Sequence, residues 1–141
     1  MSPRQRPRPI STLMNLAGRT ALVTGGAGHL GRAFAEAICR EGGKVVVAEL
    51  VEELGHQAVK ELALAGHEVL FVQTDTADWL SVRNMAETVV ENWGRIDGLV
   101  NNAALATGIG GKNFEDIPVE EWDRVIAVNV RGPWLSSKAV I

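Results

Sequence analysis

The chain of 141 residues contains no tyrosine and a single cysteine, Cys39. Without tyrosine, these residues offer no phenol as a catalytic acid or base. One cysteine excludes an internal disulfide and favours a reducing compartment, so we expect a cytoplasmic protein. No apolar run approaches the roughly 18 residues of a membrane span, and no His, Cys and carboxylate residues have metal-ligand spacing. The sequence therefore predicts neither a membrane anchor nor a metal site.

Basic residues are unevenly distributed along the chain. Residues 1–13 contain three arginines, three prolines and no acidic residue. We expect this segment to be a disordered tail, either a transit peptide or, as we favour, a leader without function ahead of Met14. Residues 14–141 carry the other 11 of the 14 basic residues and all 17 acidic ones. This composition predicts one acidic domain and argues against a nucleic-acid partner.

Past the tail, two kinds of apolar pattern alternate. Short runs rich in β-branched residues, such as Val45–Ala48, are typical of strands covered on both faces. Longer segments with apolar residues three to four positions apart predict amphipathic helices. Four strand–helix units in succession require crossovers, which specify a parallel, doubly wound α/β sheet. The predicted strands are 20–23, 45–48, 68–73 and 96–101, and the predicted helices are 30–40, 51–65, 78–93 and 119–141.

Several predictions concern side chains on these elements. The first helix has an apolar stripe that we expect to face the core, formed by Leu30, Phe34, Ala37 and Ile38. We expect Cys39 to be buried and the tryptophans at 79, 93, 122 and 134 to lie in the core or in an interface. The glycine-rich segment 107–112 follows the fourth strand, where ligands of α/β sheets bind, and is predicted to be a mobile loop.

The first predicted strand leads into a glycine cluster and then a helix. Within this segment, Gly26-x-Gly28-x-x-Gly31 fits the fingerprint of dinucleotide-binding proteins. Glycine lets the backbone turn sharply and approach a diphosphate, which the N–H groups at the start of a helix attract. Glu49 follows the second strand, where a carboxylate accepts hydrogen bonds from ribose hydroxyls. The sequence therefore predicts a dinucleotide site.

Glu49 also indicates which dinucleotide is bound. Its carboxylate would repel the extra 2′-phosphate of NADP, and no Lys or Arg follows it in residues 50–53. We therefore expect NAD rather than NADP. Arg32, one residue past the glycines, is the side chain most able to reverse this preference, unless it lies on a solvated helix face.

In four places, in the correct order, the sequence resembles the short-chain dehydrogenase/reductase family. The segment from Thr24 to Gly31 resembles its glycine motif, and Asp75-Thr76 resembles its adenine-binding pair. Asn101–Ala104 is similar to its Asn-Asn-Ala-Gly segment, and Val128–Gly132 resembles the helix that carries its catalytic asparagine. The resemblance, which covers residues 16–141, implies a Rossmann-like sheet with strand order 3-2-1-4. It also implies hydride transfer between nicotinamide and a small alcohol or ketone.

The resemblance also assigns roles to individual residues. The catalytic asparagine corresponds to Asn129, and in the family the carbonyl of this residue holds a water of the proton relay. Pro133, four residues on, has no N–H to donate to that carbonyl, so we expect an irregular helix. Asn129 shares an apolar face of this helix with Trp122, Val125 and Ile126, so we expect it to be partly buried and hydrogen-bonded. The cofactor-binding residues would be Thr24, Gly25, Gly26, Gly28, His29, Leu30, Gly31, Glu49, Leu50, Asp75, Thr76, Asn102, Ala103 and Ala104.

The sequence departs from the family pattern at two positions. His29 stands where the classical branch has glycine, and the resulting spacing is similar to that of extended-branch epimerases and dehydratases. Asn101–Ala103 matches the classical branch, which we therefore favour. His29 either flanks the phosphates or points to solvent. Ala104 replaces a glycine and adds one methyl group near the cofactor.

The family's Tyr-x-x-x-Lys pair and the serine that accompanies it have no counterpart among these residues. The resemblance therefore implies that the chain is the NAD-binding half of such an enzyme, inactive alone and marginally stable. The complete enzyme is expected to be a homo-oligomer, a dimer or tetramer, that buries an apolar face of the fourth helix. Two alternatives stay open: part of an extended-type epimerase or dehydratase, and a nucleotide-binding module without catalysis.

Overall fold

The computed structural model describes residues 15–105 and 111–141. Predictions about the tail, and about most of the glycine-rich segment 107–112, lie outside these residues. The described strands are β1 (Thr20–Thr24), β2 (Lys44–Glu49), β3 (Val69–Gln73) and β4 (Gly98–Val100). They form one parallel sheet in the order β3-β2-β1-β4, which confirms the predicted α/β class and strand order.

Helices connect the strands and cover both faces of the sheet. They are α1 (His29–Arg40), α2 (Glu52–Leu64), α3 (Trp79–Trp93), α4 (Val119–Ile126) and α5 (Gly132–Val140), with a 3₁₀ turn at Phe114–Asp116. Among the described helices, none has the length and apolar character needed to cross a membrane.

Helix α3 follows the sequence prediction closely because its ends carry strong local signals. Asp78 caps the amino terminus by accepting a hydrogen bond from the Ser81 N–H at 3.0 Å. Gly94 ends the helix in the left-handed region, at φ 76°. Between these caps, the predicted apolar face packs into the core through Val82, Met85, Ala86 and Val89.

The prediction for the apolar stripe of α1 is wrong for three of its four residues, because Ile38 packs against the core but Ala37 is exposed. Leu30 and Phe34 are exposed, whereas the buried face consists of Gly31, Ala35 and Cys39, at a spacing of four residues. The cause is a close approach at Gly31, where an added Cβ would lie 2.1 Å from the Gly25 carbonyl oxygen. This contact fixes the rotation of the helix, and small residues therefore face the sheet.

The predicted fourth helix is not continuous. A π-helical segment, Ala127–Arg131, separates α4 from α5, and the Gly132 N–H donates to the Ala127 carbonyl five residues back. The predicted irregularity at Asn129 is therefore present. Trp79 and Trp93 pack against the core as predicted, but Trp122 and Trp134 are exposed on this interrupted helix.

Candidate cofactor-binding site

A cleft of about 380 Å³ opens at the carboxyl edge of the sheet. Ligands of parallel α/β sheets bind at this edge, because the loops that follow the strands meet there. The cleft is lined by Gly25, Gly28, His29, Leu30, Glu49, Leu50, Thr74, Asp75, Thr76, Asn102, Ala103, Ala104, Leu105 and Val128.

Eleven of the fourteen predicted cofactor residues are among these, and the other three lie behind the cleft. Thr24, Gly26 and Gly31 are buried and shape the loop from beneath. Sequence reasoning missed Thr74, Leu105 and Val128. The rule that strand ends line the site would have found Thr74, which directly follows β3. No comparable local signal marks Leu105 or Val128.

The glycine loop between β1 and α1 leaves no room for side chains at its key positions. Gly25 has φ +61°, and an added Cβ would lie 2.9 Å from the Ala103 Cα. A Cβ on Gly31 would collide with the Gly25 carbonyl oxygen, as described above. Gly28 differs, since a Cβ there would meet only the Gly25 carbonyl oxygen, at an ordinary 3.4 Å. The loop therefore depends on Gly25 and Gly31 more than on Gly28.

Uncharged hydrogen bonds fix this loop to the end of β4. The Thr24 hydroxyl accepts from the N–H groups of Asn102 and Ala103, at 3.0 and 3.1 Å. The Asn102 side chain donates to the carbonyls of Thr24 and Gly25, both at 3.0 Å. Thr24 is itself buried, so water does not compete for these bonds. The glycine loop and the residues that follow β4 thus form one wall of the cleft.

The carboxylate of Glu49 lies in the cleft and is held there by backbone groups. One oxygen accepts from the N–H groups of Leu50 and Val51, at 2.9 and 3.3 Å. The other oxygen faces the Ala27 N–H at 3.4 Å. This last contact places the acidic side chain of β2 directly beside the glycine loop.

Asp75 and Thr76 border the cleft past the end of β3. The Asp75 carboxylate accepts from the Ala77 N–H at 2.8 Å, and the Asp75 N–H donates to the Ser81 hydroxyl at 2.9 Å. These bonds shape the turn into α3. Thr76 is buried beneath Gly132 of α5, where an added Cβ would lie 3.3 Å from the threonine side chain. The turn therefore also contacts the interrupted helix.

The expectation that Asn129 is partly buried is wrong, because the residue is exposed. Its side chain nevertheless has partners: the amide oxygen accepts from the Leu105 N–H at 2.7 Å, and the amide nitrogen donates to the Leu105 carbonyl at 3.1 Å. The apolar face that it was expected to share is itself largely exposed in the described residues. Asn129 does not line the cleft, but it holds the segment that does.

His29 is exposed and borders the cleft at the first position of α1. The first N–H groups of this helix lack intrahelical acceptors, and its N-cap residue, Gly28, has no side chain to accept from them. Together with the bare glycine backbone, they form a place for an anion such as a diphosphate. Glu49, an acceptor for hydroxyl groups, lies beside that place. The residues present therefore fit a dinucleotide, and among the described lining residues there is no Lys or Arg to receive a further phosphate.

The family model described as short chain dehydrogenase matches residues 19–141. An uncharacterized oxidoreductase of Thermotoga maritima is 45% identical over 123 residues, which are 87% of this chain and 47% of that protein. The 2,5-dichloro-2,5-cyclohexadiene-1,4-diol dehydrogenase LinX of Sphingobium indicum is 39% identical over 126 residues, which are 89% of this chain and 49% of the relative.

Solved structures show the same extent of similarity. The crystal structure of an NAD⁺-bound xylitol dehydrogenase superposes with a TM-score of 0.84 at 29% identity, covering 89% of this chain and 47% of that one. The chain thus spans about half the length of the relatives that it matches. With the sheet order, the glycine loop and a family match over nearly all described residues, the chain belongs to the short-chain dehydrogenase/reductase family.

Proposed function

We propose that this chain supplies the NAD-binding half of an oxidoreductase that transfers hydride between nicotinamide and a small alcohol or ketone. The observation that carries the proposal is the cleft in which a bare glycine loop, a helix amino terminus and the Glu49 carboxylate lie together. The names of its relatives agree with this chemistry, since they include a cyclohexadienediol dehydrogenase and a xylitol dehydrogenase.

Each wall of the cleft has a distinct task in this proposal. The glycine loop and the first turn of α1 bind the diphosphate. Glu49 accepts hydrogen bonds from the adenosine ribose, while Asp75 and Thr76 border the adenine. Asn102 keeps the loop in place through its two bonds to the loop carbonyls. When bound, the nicotinamide supplies the hydride chemistry, and these residues bind and orient it.

The preference for NAD rests on the charge of Glu49. A 2′-phosphate would lie against this carboxylate, and the described lining residues offer no Lys or Arg to offset the repulsion. The carboxylate also keeps its backbone partners at Leu50 and Val51, which hold it where the ribose is expected. NAD, which has a free hydroxyl there, is therefore favoured over NADP.

Asn129 is proposed to act in catalysis through its backbone carbonyl, which would hold a water of the proton relay. Its side chain fixes the Leu105 backbone, and the π-helical segment positions its main chain. The 141 residues contain no tyrosine, so the phenolic acid–base of the family is not among them. We therefore expect this chain alone to bind NAD without dehydrogenase turnover.

Calorimetric titration of the 141-residue chain with NAD and with NADP tests the proposal. We expect saturable 1:1 binding of NAD and weaker binding of NADP. The variant Glu49→Gln should weaken NAD binding by roughly tenfold, because charged hydrogen bonds exceed neutral ones by about 1 kcal/mol or more. It should also reduce the difference in affinity between NAD and NADP.

Glu52→Gln is the matched control, because Glu52 is exposed at the start of α2, close in sequence to Glu49 but outside the cleft. It removes the same charge and should leave both affinities within about twofold. Failure of the folded chain to bind either dinucleotide would refute the proposed function. NADP binding as tight as NAD binding would refute only the role of Glu49.

We further propose that the complete protein is a homo-oligomer that buries the interrupted helix. Trp122, Ile126, Val130 and Trp134 recur every fourth residue along it, and all four are exposed. Such a contiguous apolar stripe is typical of an interaction surface. Sedimentation velocity of the complete protein should show concentration-dependent self-association, which the variant Val130→Glu should abolish. A complete protein that is monomeric at all concentrations would contradict this proposal. The cytoplasmic location stays a prediction.

A further inference from the structure

The guanidinium of Arg32 is held by two partners on the side of the glycine loop away from the cleft. Its Nε donates to the Ala27 carbonyl at 2.9 Å, and its Nη1 forms an ion pair with the Glu61 carboxylate. The Arg32 side chain is 33% exposed. Arg32 is therefore one residue past the last glycine of the loop, but its charge is directed toward α2.

Ala27 lies between this guanidinium and the carboxylate of Glu49. The Ala27 N–H faces a Glu49 oxygen, and the Ala27 carbonyl accepts from Arg32. A single residue of the glycine loop thus separates the acidic group in the cleft from the basic group outside it. Among the described side chains, Arg32 is the cationic one that the hydrogen bonds of Ala27 link to Glu49, and so to the expected position of the ribose.

Glu61 is well placed to retain the guanidinium. It projects from α2, and its other oxygen accepts from the Gln57 side chain at 2.9 Å. Arg32, Glu61, Glu36 and His67 line a separate groove between α1 and α2, and none of the four lines the cofactor cleft. Because both partners are partly exposed, the ion pair adds little to stability. Its main consequence is that it keeps the positive charge of Arg32 in the groove between α1 and α2, outside the cofactor cleft.

We propose that the Arg32–Glu61 ion pair is a determinant of cofactor specificity, which keeps the guanidinium from reaching a 2′-phosphate beside Glu49. This inference rests on the proposed dinucleotide site. A phosphate monoester carries nearly two negative charges and is a preferred partner of Arg. Glu61 acts as a positioning residue: while it holds Arg32, the charged side chain beside the expected ribose position is the carboxylate of Glu49. When Glu61 is neutral, Arg32 is free to turn toward the phosphate.

The test is calorimetric titration of NAD and NADP against the 141-residue chain and its Glu61→Gln variant. We expect NADP affinity to rise by about three- to tenfold and NAD affinity to change by less than about twofold, in keeping with one partly exposed charge contact. The gain should shrink when the salt concentration is raised, because exposed charge interactions are screened.

Two further variants separate this mechanism from a general loss of negative charge. Glu36→Gln removes one charge in the same groove, where Glu36 pairs with Arg40 and not with Arg32. It should not raise NADP affinity. The double variant Arg32→Gln/Glu61→Gln should lose the gain seen with Glu61→Gln alone.

The outcomes are distinguishable from those of the proposed function. No binding of NAD by the unmodified, folded chain would refute the dinucleotide site itself. Normal NAD binding, with NADP affinity unchanged in Glu61→Gln or raised equally in Glu36→Gln, would overturn the role of the ion pair and leave the site intact. A gain in NADP affinity that persists in the double variant Arg32→Gln/Glu61→Gln would also overturn the role of the ion pair.

Discussion

At its carboxyl end, β1 is joined to β4 by uncharged hydrogen bonds, whereas at its amino end charged side chains join the same two strands. The carboxyl-end link consists of Thr24 and Asn102. At the amino end, the Asp97 carboxylate accepts from the Thr20 N–H at 2.9 Å, from Arg19 at 2.9 Å and from Arg95 at 2.8 Å. The two ends of the sheet thus use different chemistry for the same connection.

At the amino end, two arginines, Arg19 and Arg95, pair with the single carboxylate of Asp97. The Arg95 guanidinium, first of all, and then the Thr20 N–H hold the pKa of the Asp97 carboxyl well below its usual range. The link at the carboxyl end contains no ionised group, and it leaves the glycine backbone open beside a cleft. This difference teaches that the amino end of the sheet pairs its carboxylate within the fold, while the carboxyl end, here called the open end, leaves the glycine backbone available to a ligand.

The largest expected effect is at the open end, in Gly31→Ala. The added methyl would collide with the Gly25 carbonyl, and relief requires that α1 or the loop move. We expect a loss of about 1–3 kcal/mol in the free energy of unfolding and no measurable NAD binding. Urea denaturation and calorimetric titration measure the two effects.

Gly28→Ala is the control for this substitution, since its methyl meets only one ordinary contact. Gly28 precedes the first turn of α1, where alanine is a poorer cap, so a loss below about 1 kcal/mol is expected. If Gly31→Ala were as stable as Gly28→Ala, the close approach of α1 to the glycine loop would not determine the stability of this end of the sheet.

An intermediate effect is expected for Thr24→Val, which removes the uncharged link and keeps the shape of the side chain. Two backbone N–H groups, those of Asn102 and Ala103, would lose their acceptor. We expect about 1–3 kcal/mol of destabilisation and weaker NAD binding. Thr20→Val, at the other end of β1 and equally buried, is the matched control. It should leave NAD binding unchanged, and equal loss of binding in both variants would contradict the distinction between the two ends.

The smallest effect at neutral pH is expected at the amino end of the sheet, in Asp97→Asn, where solvent screens part of the charge network. Because the folded-state pKa of Asp97 lies below its usual value near 4, its ionised form stabilises the fold above about pH 4. That contribution is lost as the pH falls further. Asp97→Asn should therefore be less stable at neutral pH, with a shallower loss of stability in acid, and should still bind NAD.

Urea denaturation at a series of pH values measures this difference. Asp123→Asn, an exposed carboxylate on α4, is the control and should follow the unmodified chain. If the free energy of unfolding fell equally below about pH 4 in Asp97→Asn and in the unmodified chain, the charge network would not contribute to stability.

Much of the fold follows from local signals in the sequence. The Val-rich run of β2 and the capped, amphipathic α3 predict their own structures, because the relevant interactions lie within a few residues. The rotation of α1 could not be predicted in this way. Its buried face depends on the contact between Gly31 and Gly25, which a periodicity of apolar residues does not reveal.

The site shows the same division. Glu49 was predicted as a site residue because it ends the second strand, and Asp75 because Asp75-Thr76 resembles the adenine-binding pair of the family. Both line the cleft. The pairing of the Asn129 side chain with Leu105 spans 24 residues, and that of Arg32 with Glu61 spans 29. No local pattern predicts such pairs, because they require two separate elements to be packed first.

The sequence by itself determined the order of strands and helices, the parallel sheet and the glycine loop at its edge, since these depend on residue type and short spacing. Only the tertiary structure decided which face of α1 is buried, where Arg32 places its charge and how the two ends of β1 are joined to β4. The physical reason is that these features arise from contacts between segments distant in the chain, whose geometry is set when the sheet and helices pack together.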